Sequence, residues 1–371
     1  MKKVGIITFH RAYNYGAILQ SYALSKKISE MNYECEIVDV LDPVESSRKI
    51  GLKRKLILFA RNLIYFDRTL GYKKRCKKID RFVKNNFNLS PEKYDAENIS
   101  NANDKYKTFV VGSDQVWNLS FKNNHIYLLD FVCESNYRMS YAASFGYSQI
   151  PEKFLEHSRE SIKKFNAISV REQTGLSILK EQLGIDGGVL VVDPTLLYDD
   201  GEWKAMVDLS ISKSKRIFQN ERIVLYYAVA PQCHLLDLAI KTAHEKNMTL
   251  VILNNSTEIK VKGAINFYDA GIEDFIYLFS KAEYVFTTSF HGLAFSINFN
   301  KRFVFETSKE KNNANDRLLS LVGELGLDER SINKLNDVDS PIDWVKVNKK
   351  LQLLRERSVS FINNNLDKFL K

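Results

Sequence analysis

Four short segments of this sequence set polar or glycine residues directly behind an apolar, β-prone run. That is where open α/β sheets present their ligands. The first is Asn14-Tyr15-Gly16-Ala17, after Val4–Phe9; Gly16 opens a helix whose N–H groups can face an anion. It lacks the further glycines of a dinucleotide loop. The second, Gly112–Asn118 (GSDQVWN), follows Thr108–Val111 and sets Ser113, Asp114 and Gln115 as donors and acceptors at a sheet edge. Trp117 in it is either a stacking platform for a sugar or a core anchor. In the third, Ser169–Glu172 (SVRE), Arg171 follows a buried strand and offers a fork suited to carboxylate or phosphate. Its alternative is a plain charge pair with Glu172 at a helix start. The fourth is Thr288–Gly292 (TSFHG), where Ser289 suits a helix N-cap. His291 there is an imidazole placed where anions bind, able to move protons near neutral pH.

Other chemistries lack their spacing. There is no HExxH or Cys/His cluster for zinc, no GxxxxGK[ST] phosphate loop and no GxSxG elbow. The four cysteines, Cys35, Cys76, Cys133 and Cys233, are scattered, which predicts reduced thiols and no metal centre. Anion-friendly strand ends without a metal motif point to transfer chemistry on a small phosphorylated donor.

The elements that must position these residues form two βα alternations. Val4–Phe9, Glu36–Val40, Thr108–Val111, Arg138–Ala143, Ala167–Val170 and Val189–Val192 read as strands of a first domain, residues 1–200. Strands at Arg222–Val229, Thr249–Leu253, Tyr284–Thr287 and Phe303–Phe305 alternate with helices in a second, residues 201–371. The fold class is α/β, with two doubly wound Rossmann-like domains. The long amphipathic segment Trp344–Leu370 is expected to cross back onto the first domain. Hydrophobic residues at 44% and charged residues at 27% exclude a disordered chain. No apolar run reaches the roughly 18–20 residues that span a bilayer, and the N-terminus reads as a first strand, so a cytoplasmic protein is expected.

The net charge is +9, yet residues 48–84 alone hold 14 Lys+Arg against Asp67 and Asp80, or +12, which leaves −3 elsewhere. This stretch lies in an apparent basic insertion, 42–90, that also carries the apolar run LILFARNLIYF. A surface-lying helical element drawn to anionic membrane is expected there, with a solvated charged face as the alternative. Nucleic acid is not the expected partner, because the charge and the strand-end motifs occupy different segments.

The segments FHRAYNYGAILQSYAL (9–24), VVGSDQVWN (110–118), SYAASFG (140–146), SVRE (169–172), VDPTLL (192–197) and TTSFHGLAFSINFNKRFV (287–304) run in one order. Together they resemble the polysaccharide pyruvyl transferase family. The resemblance implies a GT-B-like fold, an acceptor-side first domain and a donor-side second domain. It also implies phosphoenolpyruvate as co-substrate, with no other cofactor, and a glycan or lipid-linked saccharide as acceptor. A pyruvate ketal would be the product. The family's histidine matches His291 and its arginine matches Arg171. On that reading His291 and, as its acid/base partner, Asp114 are the expected catalytic residues, Arg171, Ser289, Asn14 and Gly16 are expected to bind the donor, and Ser113, Gln115 and Trp117 to meet the acceptor. The chain departs from the family at Ser289, where many members have arginine. Arg317 is the expected replacement, with Lys301 or Arg302 behind it. A glycosyltransferase using a nucleotide sugar is the rival enzyme reading, since it would share the fold.

Overall fold

The computed structural model describes residues 3–41, 66–120, 124–229, 233–253, 260–307 and 315–370. The first sheet is built from β1 (Val4–Ile7), β2 (Cys35–Val40), β3 (Leu89–Tyr94), β4 (Thr108–Val111) and β5 (Tyr137–Ser140), in the order β3-β2-β1-β4-β5. All four pairings are parallel, with Val4 opposite Thr108 and Ile7 opposite Val111. A short parallel pair, β6 (Ser169–Val170) and β7 (Val189–Leu190), continues it through bridges from Met139 to Ala167 and Ala143 to Val170. The second sheet repeats the order as β10-β9-β8-β11-β12. Its strands are β8 (Ile223–Tyr227), β9 (Thr249–Leu253), β10 (Ile265–Phe267), β11 (Tyr284–Thr287) and β12 (Arg302–Phe305). Strands such as VGII and IVLYY are buried along their whole length. Continuous apolar runs of this kind are what a parallel sheet covered on both faces requires.

Helix α1 (Tyr15–Glu30) follows β1, and its first eleven residues are all buried. A helix buried on every side sits between layers. Tyr15 stacks on Phe275 at 4.9 Å and donates its hydroxyl to the Ala270 carbonyl at 2.9 Å, both beyond the first sheet. Helix α2 (Phe66–Asn86) joins β2 to β3. The basic stretch is therefore no interruption from residue 66 onward but the crossover to an edge strand. That strand, LSPEKY, carries a proline and two charges, as edge strands tolerate, which hid it from a pattern search. Ile79, Phe82 and even Arg75 of α2 are buried, and Lys73, Lys74, Lys77, Arg81 and Lys84 are exposed. The apolar run up to Tyr65 lies outside the described residues. Among the described residues no helix is long and apolar enough to cross a membrane.

In the second half, helices α3 (Cys233–Glu245), α4 (Ile272–Lys281), α5 (Phe290–Asn298) and α6 (Asn315–Leu325) alternate with the strands. The terminal helix α7 (Trp344–Leu370) crosses back to the first sheet as expected. Its Ser358 hydroxyl accepts from the Val192 amide at 3.0 Å, Asp367 accepts from the Tyr33 hydroxyl at 2.6 Å, and Phe369 stacks on Tyr137 at 3.9 Å. Arg355 donates to the Leu196 carbonyl at 2.6 Å and to Asn298 at 3.1 Å, tying α5 to the link between sheets.

A second tie runs through α2. Lys78 reaches Asp274 on α4 at 2.8 Å, and Arg81 reaches Glu273 at 3.4 Å. Asp274 is buried and also accepts from the Gly271 and Ser214 amides and from both the Ser212 and Ser214 hydroxyls. Burial opposes its ionisation, but Lys78 and these donors hold its carboxyl below the ordinary range. The stabilisation is thus present above the unfolded-state value of about 3.9 and is lost as pH falls through the folded one. Asp274→Ala should cost about 3 kcal/mol or more in urea unfolding, since five donors lose one acceptor. A loss under about 0.5 kcal/mol, the level of an ordinary surface change, would contradict this role.

Candidate active site

The two sheets present the carboxyl ends of their strands to each other across α1 and α5. In each, the strand order reverses between the first and fourth strands, β1 and β4 or β8 and β11, and the crevice at such a point takes the ligand. Asn14 caps α1 by accepting from the Gly16 and Ala17 amides at 2.9 and 3.3 Å. Ser289 caps α5 by accepting from the Gly292 amide at 3.3 Å. The helix starts abut: a Cβ on Gly16 would lie 2.0 Å from Nδ1 of His291. Glycine is required at 16 because the imidazole occupies the space of any side chain there.

Beside His291 lies a dense ionic cluster. The Arg171 side chain is fully buried and sits between Asp114, at 2.8 Å, and Asp193, at 2.7 Å. Its guanidinium carbon is 4.6 Å from the centre of the Phe290 ring, which comes from α5. Asp193 accepts further from the Ser113 hydroxyl at 2.8 Å and from the Thr195 amide and hydroxyl at 3.0 and 2.8 Å. The Ser113 amide donates to Gln20 at 2.9 Å, which anchors the loop after β4 to α1. In that loop Gly112 adopts φ +124°, and a Cβ there would meet the Tyr141 carbonyl oxygen at 2.1 Å. Asp114 itself sits at φ 75°, a left-handed conformation that aspartate tolerates better than most residues. Arg317, in the first turn of α6, brings Nη1 to 3.7 Å from Asp114. The α6 helix is docked onto residues 173–174 by Gln173 to Ser320 and Thr174 to Asp316, at 3.1 and 3.2 Å.

Burial opposes ionisation of Asp114, but Arg171, His291 and Arg317 outweigh it and hold the carboxyl down at about 2. Asp193 is likewise below its ordinary range, with His291 and Arg171 outweighing its burial. Burial and the neighbouring Arg171 lower Arg317 to about 10, so it stays charged at neutral pH. Burial pushes Glu172 above the ordinary carboxyl range, against the pull of Arg171. It also pushes His291 below its usual value, although Asp193 and Asp114 pull the other way. The resulting cluster holds two guanidinium groups, two carboxylates and a neutral imidazole. Within it Nε of Arg171, Nε of Arg317 and Nε2 of His291 are buried without a hydrogen-bond partner. Buried polar nitrogens are ordinarily hydrogen-bonded; here the Glu172 carboxylate stands 3.7 Å from Nε of Arg171 and Asp193 stands 3.8 Å from Nε2 of His291. Among the described residues no group of three His, Cys, Asp or Glu side chains is placed to hold a metal ion.

The sequence profile of the polysaccharide pyruvyl transferase family matches residues 14–309, most of the chain and all of this cluster except Arg317. The chain belongs to the polysaccharide pyruvyl transferase family. No curated protein matches it in sequence. Among solved structures, UDP-GlcNAc 2-epimerase of Methanocaldococcus jannaschii, in complex with UDP-GlcNAc and UDP, is similar at TM-score 0.53 and 10% identity. It covers 99% of this chain and 100% of its own. A putative UDP-N-acetylglucosamine 2-epimerase of Listeria monocytogenes matches at TM-score 0.52 and 13% identity, over 98% and 91% of the two chains. At such identities the likeness concerns the fold alone, which is GT-B-like.

In this pyruvyl transferase family member the site residues expected from sequence divide into two groups. Arg171, Asp114, His291 and Arg317 come together, while Gly16 and the capping Asn14 and Ser289 frame them. The Asn14 cap occupies the Gly16 and Ala17 amides, so these do not remain open to an anion. The acceptor contacts expected at Ser113 and Trp117 are corrected. Ser113 is fully buried under Asp193, and Trp117 lies in the core at 5.0 Å from Phe145 and 5.6 Å from Phe165. Gln115 is half-buried near Gly146 and Asn118. Lys301 and Arg302 fall at the start of β12, the opposite edge of that sheet from the strand ends. Sequence reasoning missed Asp193 and Gln20 as builders of the site. Asp193 had a signal, since an aspartate before Pro194 at a strand exit is a natural N-cap.

Because His291 is held below its ordinary value of about 6.5, the unfolded chain binds this proton first. Stability therefore falls as pH drops from about 6.5 through the folded value. The His291 ring signal, assigned by comparison with His291→Gln, should titrate below the free-histidine midpoint. A midpoint above it would contradict the neutral imidazole.

Proposed function

We propose that the protein transfers a pyruvyl unit from phosphoenolpyruvate to two hydroxyls of a saccharide, forming a pyruvate ketal and releasing phosphate. The observation that carries this reading is the set of buried nitrogens without a hydrogen bond on Arg171, Arg317 and His291. A donor with both carboxylate and phosphate needs two cationic poles, and Arg171 and Arg317 are suited to be those poles. Arg317 then takes the part that arginine plays at the position of Ser289 in many family members.

The chemistry balances around one imidazole. In the first step an acceptor hydroxyl adds to the enol carbon, losing one proton while the methylene gains one. Neutral His291 can accept the first and, once protonated, deliver the second. Asp114 stays ionised at about 2, so it serves as a fixed negative charge beside the cationic carbon rather than as an acid. In the second step another hydroxyl displaces phosphate, which leaves with the electrons of its C–O bond and takes up that hydroxyl's proton. The likeness to an epimerase in complex with UDP-GlcNAc and UDP motivates a nucleotide sugar as the rival donor.

His291→Ala should lower the turnover of phosphate release by at least about 10²-fold with the fold intact. Arg171→Ala should act mainly by raising KM for phosphoenolpyruvate, alongside some loss of stability from the two carboxylates it leaves unpaired. Wild-type turnover in His291→Ala would remove the imidazole from the mechanism. Mass spectrometry of saccharides incubated with each donor decides the group transferred: a ketal supports the proposal, and an added sugar supports the rival.

A further inference from the structure

Ser113 is taken up by Asp193 and Trp117 by the core, which leaves the acceptor's seat to be found. We propose that a cavity of about 480 Å³ between the loop after β1 and the C-terminal part of α2 is a saccharide subsite, holding the pyranose ring of the acceptor. This rests on the transfer reading above, which it deepens. The volume falls within the roughly 300–1,000 Å³ of small-molecule sites.

One wall of the cavity is polar and braced from behind. His10 and Arg11 line it, and both are fixed by Asp39, a buried carboxylate on β2. Nε2 of His10 lies 3.0 Å from Asp39, and Arg11 donates to it twice at 2.7 Å. The other ring nitrogen of His10 is 3.1 Å from the Thr8 carbonyl. From α2 and the residues after it come apolar Ile79, Val83 and Phe87 together with polar Asp80, Lys84 and Asn88. Phe87 is itself held by Tyr22 and Phe82, with ring centres at 6.2 and 6.4 Å. Tyr13 stands at the edge with its ring 37% exposed.

A lining that mixes hydrogen-bonding groups with aliphatic and aromatic carbon matches a sugar ring, which has hydroxyl edges and apolar C–H faces. The placement is also suitable. Tyr13 lines the cavity, and Gly16, three residues along the same chain, touches His291.

The test is calorimetric titration of methyl glycosides of the common hexoses and N-acetylhexosamines into wild type, Tyr13→Ala and Val83→Trp. Phosphoenolpyruvate is titrated in parallel. At least one glycoside should bind, and removing the exposed ring or filling the cavity should weaken it by about tenfold or more. Phosphoenolpyruvate affinity should be unchanged. Tyr13→Ala alters only a partly exposed side chain, so it keeps the test open if Val83→Trp misfolds. A glycoside bound equally by both variants, or none bound by wild type, overturns the subsite. Sensitive glycoside binding without any phosphoenolpyruvate binding would leave the subsite standing and remove the transfer reading.

Discussion

A guanidinium with no access to water needs buried carboxylates beside it, and much of the site is organised around supplying them to Arg171. Its two carboxylates come from different places. Asp114 is held by the left-handed turn after β4, and Asp193 by the link that leaves β7. Ser113, Thr195 and Gln20 fix those two supports, and Phe290 covers the charge from the second half of the chain. Removing either aspartate would leave a buried charge uncompensated, at a cost of about 3–5 kcal/mol. The arrangement is expensive as pure architecture, since well-packed apolar residues would fill the same volume at equal or lower free energy. A site whose charges must already be dehydrated and oriented when an anion arrives gives this cluster a reason to exist.

The same cluster explains how tightly the two sheets meet. Gly16 admits His291 against the start of α1, so both helix N-termini converge on one point. Two positive dipole ends repel unless negative charge lies between them, and Asp114 and Asp193 supply it within the cluster. Away from the site, Lys78 on α2, Tyr15 on α1 and Arg355 on α7 tie the halves together through hydrogen bonds. The cleft is therefore framed by covalent continuity on one side and by buried polar contacts on the others.

Much of this was legible in the sequence because it is local. Apolar runs followed by glycine, aspartate, arginine or histidine identified β1, β4, β6 and β11 and the residues at their ends. The crossing of α7 followed from its length and amphipathic pattern. Three things were not legible, each for a physical reason. Trp117 shares its segment with Asp114, but side chains three apart on a turning loop need not face the same way, and the indole went to the core. The helix α2 reads as a charged insertion because its lysines dominate the pattern; its buried face needs only Ile79, Phe82 and the stem of Arg75, and its edge strand contains a proline. Gln20 and Asp193 act through contacts 93 and 80 residues away in the chain, which no local spacing encodes.

The proposed function requires the Arg171–Arg317–His291 cluster to bind phosphoenolpyruvate in preference to a nucleotide sugar. It is tested most directly by calorimetric titration of phosphoenolpyruvate and of UDP-GlcNAc into the wild-type protein and into Arg317→Ala. Phosphoenolpyruvate should bind wild type and lose about tenfold or more in affinity with Arg317→Ala, as expected for a charge-assisted contact of about 1.5–3 kcal/mol. UDP-GlcNAc should show no heat beyond dilution. Binding of UDP-GlcNAc alone, or phosphoenolpyruvate binding indifferent to Arg317, would contradict the account.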